Sequence, residues 1–272
     1  MKQTKSPNSP SATNPDRPGA LVIAHPGHEL LVYEWLRRTR PHVFILTDGS
    51  GHTGRSRLAS TTKILEQVGA TPQSPYGRFT DQAMYAAILD QHLGELFGLA
   101  EELAEAFIRL RVDYVAGDAV EGYNPAHDLC RLIIDTALRI VNRRNRRPVA
   151  NFDFPLAGRP DASPAALRPE AIRLQLDDEA FDRKSAVARG YPEMAGEINA
   201  ALRENGVEAF RVECLRPVEP GSGTDSPFRG QPYYEQYGER QVAAGYYGRV
   251  IRYREHIAPI ARVLWKHVRE HS

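Results

Sequence analysis

A chain of 272 residues, 42% hydrophobic and 25% charged, has ordinary globular composition and is long enough for one sizeable core. Its 35 Lys and Arg against 34 Asp and Glu leave a formal net charge of +1, so no overall field recruits nucleic acid or an acidic membrane. No apolar run is long enough for a membrane span, and Cys130 and Cys214, far apart, form no disulfide framework, as expected of a cytoplasmic chain.

Residues 1–18 are rich in Ser, Pro, Asn and Thr, lack the apolar centre of a signal peptide, and read as a disordered leader. Leu21-Val22-Ile23-Ala24 is then a continuous apolar run of the kind buried in a parallel sheet. It stops at His25-Pro26-Gly27-His28, and Leu30, Leu31, Glu34 and Trp35 give a helical period from Glu29 to about Arg38. Val43 to Leu46 predicts a second strand, opening into the polar stretch Thr47-Asp48-Gly49-Ser50-Gly51-His52. A helix is expected from Ser56 to Val68, stopped by Gly69. Thr80 to Leu110 has helical periodicity broken near Leu93 to Gly98, and Asp113 to Ala116 reads as a strand. A loop from Gly117 to His127 leads into a helix ending near Asn142, whose Arg143, Arg144, Arg146 and Arg147 suit a solvated helix end. Val149 to Phe154 is a further strand, Asp178 to Ala188 and Glu193 to Arg203 are helical, and Phe210 to Leu215 is a late strand. Residues 219–230 read as a loop, and Tyr246 to Val268 as a closing helix interrupted at Pro259. Strands alternating with helices predict a Rossmann-like, mostly parallel sheet with helices on both faces, in one domain from residue 19 to 272 with a C-terminal helical extension.

Three polar stretches, His25 to Glu29, Thr47 to Arg57 and Asp118 to Asp128, follow three apolar strands. Loops after parallel strand ends share one edge of the sheet, so these residues converge there. His25 and His28 flank a turn that Gly27 permits, and His127 arrives from the third loop. Two nearby histidines and a distant third give the layout of an open, catalytic zinc site. Loop histidines that merely cap helices are the competing reading, and the strand-end position favours the metal. Gly49 to Arg55 could cradle a phosphate or sugar hydroxyls, or be a flexible loop, and His52 is not counted as a ligand.

The order of these pieces resembles the LmbE-like (PIG-L) family of zinc-dependent N-acetylglucosamine deacetylases, as a divergent member. That family opens with a strand ending in A-H-P-D-D-E, and this chain has Ala24-His25-Pro26-Gly27-His28-Glu29. The family's later H-P-D-H reads here as Asn124-Pro125-Ala126-His127. The resemblance covers roughly residues 19–215 and includes Arg57, Lys184 and Val212-Glu213. It implies zinc, or another divalent transition metal, on His25, His28 and His127, and Arg57 contacting substrate. The implied activity is hydrolysis of the amide of an N-acetylated amino sugar or glycoconjugate, a carbohydrate deacetylase. Gly27 replaces the family's general-base Asp, and Asn124 replaces a His that helps stabilise the oxyanion; Asn can still donate a hydrogen bond.

Candidate replacements for the base are Asp48, Asp118, Glu121 and Glu29. Glu121 ranks first, because no turn type demands it, and Asp48 follows, with a turn role before Gly49 as its alternative. The loss of the base leaves two rivals: a same-fold esterase, or a catalytically silent metal- or ligand-binding relative. Tyr233, Tyr234, Tyr237, Tyr246, Tyr247 and Tyr253, joined by Arg240, Arg249, Arg252 and Arg254, read as packing or a homo-oligomer interface ahead of a direct substrate contact.

Overall fold

The computed structural model describes residues 17–144, 147–160, 162, 170–218, 228 and 230–270. Seven described strands form one sheet: β1 (Gly19–Ile23), β2 (His42–Thr47), β3 (Thr71–Phe79), β4 (Tyr114–Asp118), β5 (Ala150–Phe154), β6 (Ile172–Gln175) and β7 (Val212–Pro217). Their order is β3-β2-β1-β4-β5-β7-β6. The first five pair in parallel, and β7 runs antiparallel to both β5 and β6.

The strand β1 is apolar throughout because both of its faces are covered. Ala20 and Val22 join a core built on α3 (Asp81–Leu89), α4 (Leu93–Arg109), α5 (Pro125–Arg144) and α9 (Ala258–Glu270). Leu21 and Ile23 point the other way, into a core with α1 (Tyr33–Thr39), α2 (Leu58–Val68) and the segment after α6 (Asp178–Arg189). Gly117 allows α5 to lie close on the sheet, since a Cβ there would sit 2.7 Å from the Val22 carbonyl oxygen and 2.5 Å from Ile134.

Several boundaries differ from the sequence expectations. The first helix begins as a 3-10 turn, His28–Val32, before α1. The strands β3 and β6 were not expected. Pro72, Pro75 and Gly77 interrupt the β3 pattern, which only a sheet edge tolerates, and β6 has four half-buried or exposed residues. The expected closing helix from Tyr246 is corrected: α8 (Tyr233–Ala243) precedes it, residues 246–252 are not helical, and a π-helical turn, Tyr253–Ile257, leads into α9. Pro259 falls in the first turn of α9, directly after the π-helical turn. The leader through residue 16 and most of the 219–230 loop lie outside the described residues. Arg17 is fixed by an ion pair to Asp113 at 2.9 Å, and Pro18 accepts from the Asp113 N–H. No described helix is long and apolar enough to cross a membrane.

The entry to α1 is fixed by a buried pair. Glu213 on β7 accepts the backbone N–H groups of Glu34 at 2.9 Å and Trp35 at 2.8 Å, so its carboxylate serves as the helix cap. Lys184 on α6 reaches Glu213 at 2.8 Å and the Leu31 carbonyl at 2.9 Å. Removing one member of such a pair strands the other charge in the interior. Lys184→Met is therefore expected to lower stability by about 3 kcal/mol, read as an earlier midpoint in urea unfolding. An unchanged midpoint would show that the pair contributes nothing.

Candidate functional site

Three histidine rings meet at the edge where β1 and β4 end. His25 follows β1, His28 opens the 3-10 turn, and His127 lies in the first turn of α5. Their centroids are 5.4 Å (His25 to His28), 5.1 Å (His25 to His127) and 4.6 Å (His28 to His127) apart, edge to face. The convergence expected from topology is thus present. As the side chains stand, the described residues contain no group of three ligands arranged to hold an ion.

Carboxylates orient two of the rings. His25 Nδ1 lies 2.9 Å from Asp81 Oδ1 and 2.8 Å from Thr47 Oγ1. His28 Nδ1 lies 3.0 and 3.1 Å from the two oxygens of Asp118. An ionised carboxylate only accepts, so each Nδ1 donates its proton and the lone pair of the neutral ring sits on Nε2. His25 Nε2 and His127 Nδ1 are buried without a hydrogen-bond partner. Carboxylate on one nitrogen and a free lone pair on the other is how proteins prepare histidine to ligate a metal. Burial lowers the His28 pKa, but the neighbouring charges of Asp118 and Glu29 outweigh it and leave it raised. Burial, with His28 and His25 alongside, pushes His127 well down, so its ring is neutral.

The turn between the first two histidines is held from inside. Gly27 adopts a φ of 110°, and its N–H donates to Glu29 Oε2 at 2.7 Å, while Thr61 donates to Glu29 Oε1 at 2.7 Å. A Cβ at Gly27 would lie 2.8 Å from Met194 Sδ, so that thioether occupies the space beside the turn. Glu29 is therefore a turn lock.

The remaining predicted residues have other partners, and the hydrogen bonds of Glu121 and Asp48 run to backbone groups rather than to the histidines. Asn124 caps α5, its Oδ1 accepting from the Ala126 N–H at 2.8 Å, and its Nδ2 donates to the Tyr85 hydroxyl at 3.1 Å. Arg57 donates to Met194 Sδ at 2.7 Å and to Glu197 at 2.9 Å. Asp48 accepts from the Ser50 N–H at 3.0 Å, the turn role weighed for it from sequence. Glu121 Oε2 accepts the N–H groups of Leu156 at 3.0 Å and Ala157 at 2.9 Å, and burial pushes its pKa up to about 7. His52 is exposed in the 3-10 turn Gly51–Thr53. Asp81 was missed in the sequence because the strand before it was missed. Its one local signal is Thr80, an N-cap whose side chain accepts from the Ala83 N–H.

The chain shares its fold with two deacetylases. One is the antimicrobial reagent A40926 pseudoaglycone deacetylase Dbv21, 20% identical over 75% of this chain and 98% of that one, with a TM-score of 0.50. The other is a deacetylase in the biosynthesis pathway of teicoplanin, 14% identical over 76% of this chain and all of that one, with a TM-score of 0.51. No family model matches the chain, and no curated protein matches it by sequence.

The raised Glu121 pKa has a consequence for stability. Its carboxyl ionises near 4.5 in the unfolded chain and at about 7 when folded, so the folded state holds a proton that the unfolded state has lost between those values. Stability falls as pH rises through that window. Glu121→Gln, which keeps an acceptor for both amides, is expected to remove this decline. The variant should gain on the parent between pH 5 and pH 8 by roughly 2 kcal/mol in urea unfolding. Parallel curves for the two proteins across that range would refute the assignment.

Proposed function

We propose that the chain is a metal-dependent hydrolase that removes an acyl group, most simply acetyl, from the amine of an amino sugar or glycoconjugate. The observation carrying this is the three-histidine cluster, with two rings braced by Asp81 and Asp118 and two buried ring nitrogens, His25 Nε2 and His127 Nδ1, without a hydrogen-bond partner. The order of motifs, resembling LmbE-like deacetylases, supplies the reaction class.

His25, His28 and His127 would hold zinc or another divalent transition metal; all three are nitrogen donors, and the carboxylate braces on His25 and His28 and the unpartnered nitrogens of His25 and His127 fit such an ion. When bound, the ion supplies Lewis acidity toward the acyl carbonyl and makes water more acidic. Asp81 and Asp118 hold two ring orientations. Asn124, with Oδ1 committed to the helix cap, directs Nδ2 toward the Tyr85 hydroxyl. Burial pushes the Tyr85 pKa well up, so the phenol stays protonated and the pair offers donors to a developing oxyanion. Glu121, on the loop that leads from β4 into the helix carrying His127 and with its pKa pushed up to about 7, would take a proton and return it to the departing amine. Asp48 is the second choice, since its carboxylate already serves a turn. Arg57 orients substrate, with its guanidinium held by Met194 and Glu197.

A silent ligand-binding relative is the reading favoured by the filled space at Gly27, where no carboxylate fits beside Met194. Metal content and acetate release separate the two. The purified full chain is expected to carry about one equivalent of metal, and His127→Ala to lose it together with acetate release from N-acetylated sugars. Glu121→Gln is expected to keep the metal and lose turnover by about 100-fold. Metal retained in the His127 variant would remove the site, and metal bound with no acetate released from any N-acetylated sugar would leave the silent relative.

A further inference from the structure

Of the seven large apolar side chains left exposed among the described residues, five are tyrosines: Tyr123, Tyr233, Tyr237, Tyr246 and Tyr247. Four of these form a row. Tyr123 and Tyr233 stack with planes 5° apart and centroids at 5.2 Å, Tyr237 lies 6.1 Å from Tyr233, and Tyr247 lies 6.4 Å from Tyr237. The Arg240 guanidinium sits 5.7 Å from the Tyr233 ring centre and 5.9 Å from that of Tyr237.

The row adjoins the loop that leads into the helix carrying His127. Tyr123 directly precedes Asn124, which caps the helix carrying His127 and bonds Tyr85. Tyr237 and Tyr247 are among the groups that bear electrostatically on the Tyr85 hydroxyl. The loop below is tied to α8, since the Tyr234 N–H donates to the Gly122 carbonyl at 3.2 Å. The space beside Gly27 is filled by Met194, which Arg57 holds. Met194 thus packs against the turn from His25 to Glu29, while the phenols of the row stay exposed.

We propose that the row formed by Tyr123, Tyr233, Tyr237 and Tyr247, with Arg240, is a carbohydrate subsite that stacks the sugar ring next to the acylated unit. The proposal rests on the deacylase reading of the adjoining site. A pyranose has an apolar C–H face and a hydroxyl rim, and a tyrosine offers an apolar face with a hydroxyl at its end. A run of such rings, rather than one, fits a substrate longer than a monosaccharide. Exposed tyrosines also mark contacts between protein copies, but continuity with Asn124 and Tyr85 favours a ligand shared with the histidine cluster.

The test uses the full chain and three probes: N-acetylglucosamine, its β-1,4-linked disaccharide, and the p-nitrophenyl glycoside of the monosaccharide. Binding is read by ligand-observed NMR titration, which needs no turnover, and acetate release is measured in parallel. The disaccharide is expected to bind roughly tenfold more tightly than the monosaccharide. Tyr233→Ala and Tyr237→Ala are expected to remove most of that advantage, and Tyr237→Phe, which keeps the ring face, to preserve most of it. Equal binding of mono- and disaccharide overturns the proposal, and so does a gain for the aryl glycoside equal to that of the disaccharide. A dimer that the Tyr→Ala variants split, with the sugar preference unchanged, assigns the row to self-association instead. Disaccharide preference without acetate release would sink the deacylase reading and leave the subsite standing; acetate release without preference does the reverse.

Discussion

A single carboxylate, Asp118, ties the two central strands to the turn that carries the first two histidines. It ends β4 with its side chain fully buried. One oxygen accepts the Ala24 N–H at 2.8 Å, and both lie within 3.1 Å of His28 Nδ1. The strand end, the chain leaving β1 and the imidazole are thus set by one group. Asp81 does the same from the opposite side, bracing His25 and accepting the Gly51 N–H at 2.6 Å. A parallel sheet makes this possible, because strands that run together end together and present their loops side by side.

That dependence explains what was legible in the sequence. The strands β1, β2 and β4 were readable because burial on both faces forces continuous apolar runs, and the three histidines because each follows such a run or its loop. Asp81 was not, since it follows β3, whose prolines erase the strand pattern, and no local spacing links it to His25, 56 residues away. Asp118 was weighed as a proton acceptor, yet its partners are Ala24 and His28, 94 and 90 residues earlier in the chain. Whether a carboxylate braces, caps or titrates depends on which donors the sheet brings beside it. The helix α8 was read as an aromatic cluster rather than an element because its tyrosines and charges leave little apolar period to follow.

The turn His25 to Glu29 shows a motif departure absorbed by packing. Gly27 holds a positive φ that L side chains rarely adopt, and Met194 occupies the volume a side chain would take. Glu29 gathers the Gly27 N–H and the Thr61 hydroxyl, so the turn is closed on its inner side as well. Nothing in this arrangement asks for a carboxylate at 27, and any proton acceptor must come from another loop.

Three carboxylates, Asp81, Glu121 and Asp128, fall into two electrostatic kinds. Burial alone would raise Asp81, but its hydrogen bond and attraction to His25 outweigh that and hold it well below the usual carboxylate range. Glu121, half-buried, and Asp128, buried, have backbone N–H groups as their hydrogen-bond partners. These amides lower each pKa less than burial raises it, and both stand near 7. A braced, permanently ionised group can orient a ring but cannot readily take up a proton. A group near 7 can do so at neutral pH. The two kinds lie on different segments, Asp81 just after β3, Glu121 between β4 and α5, and Asp128 in the first turn of α5.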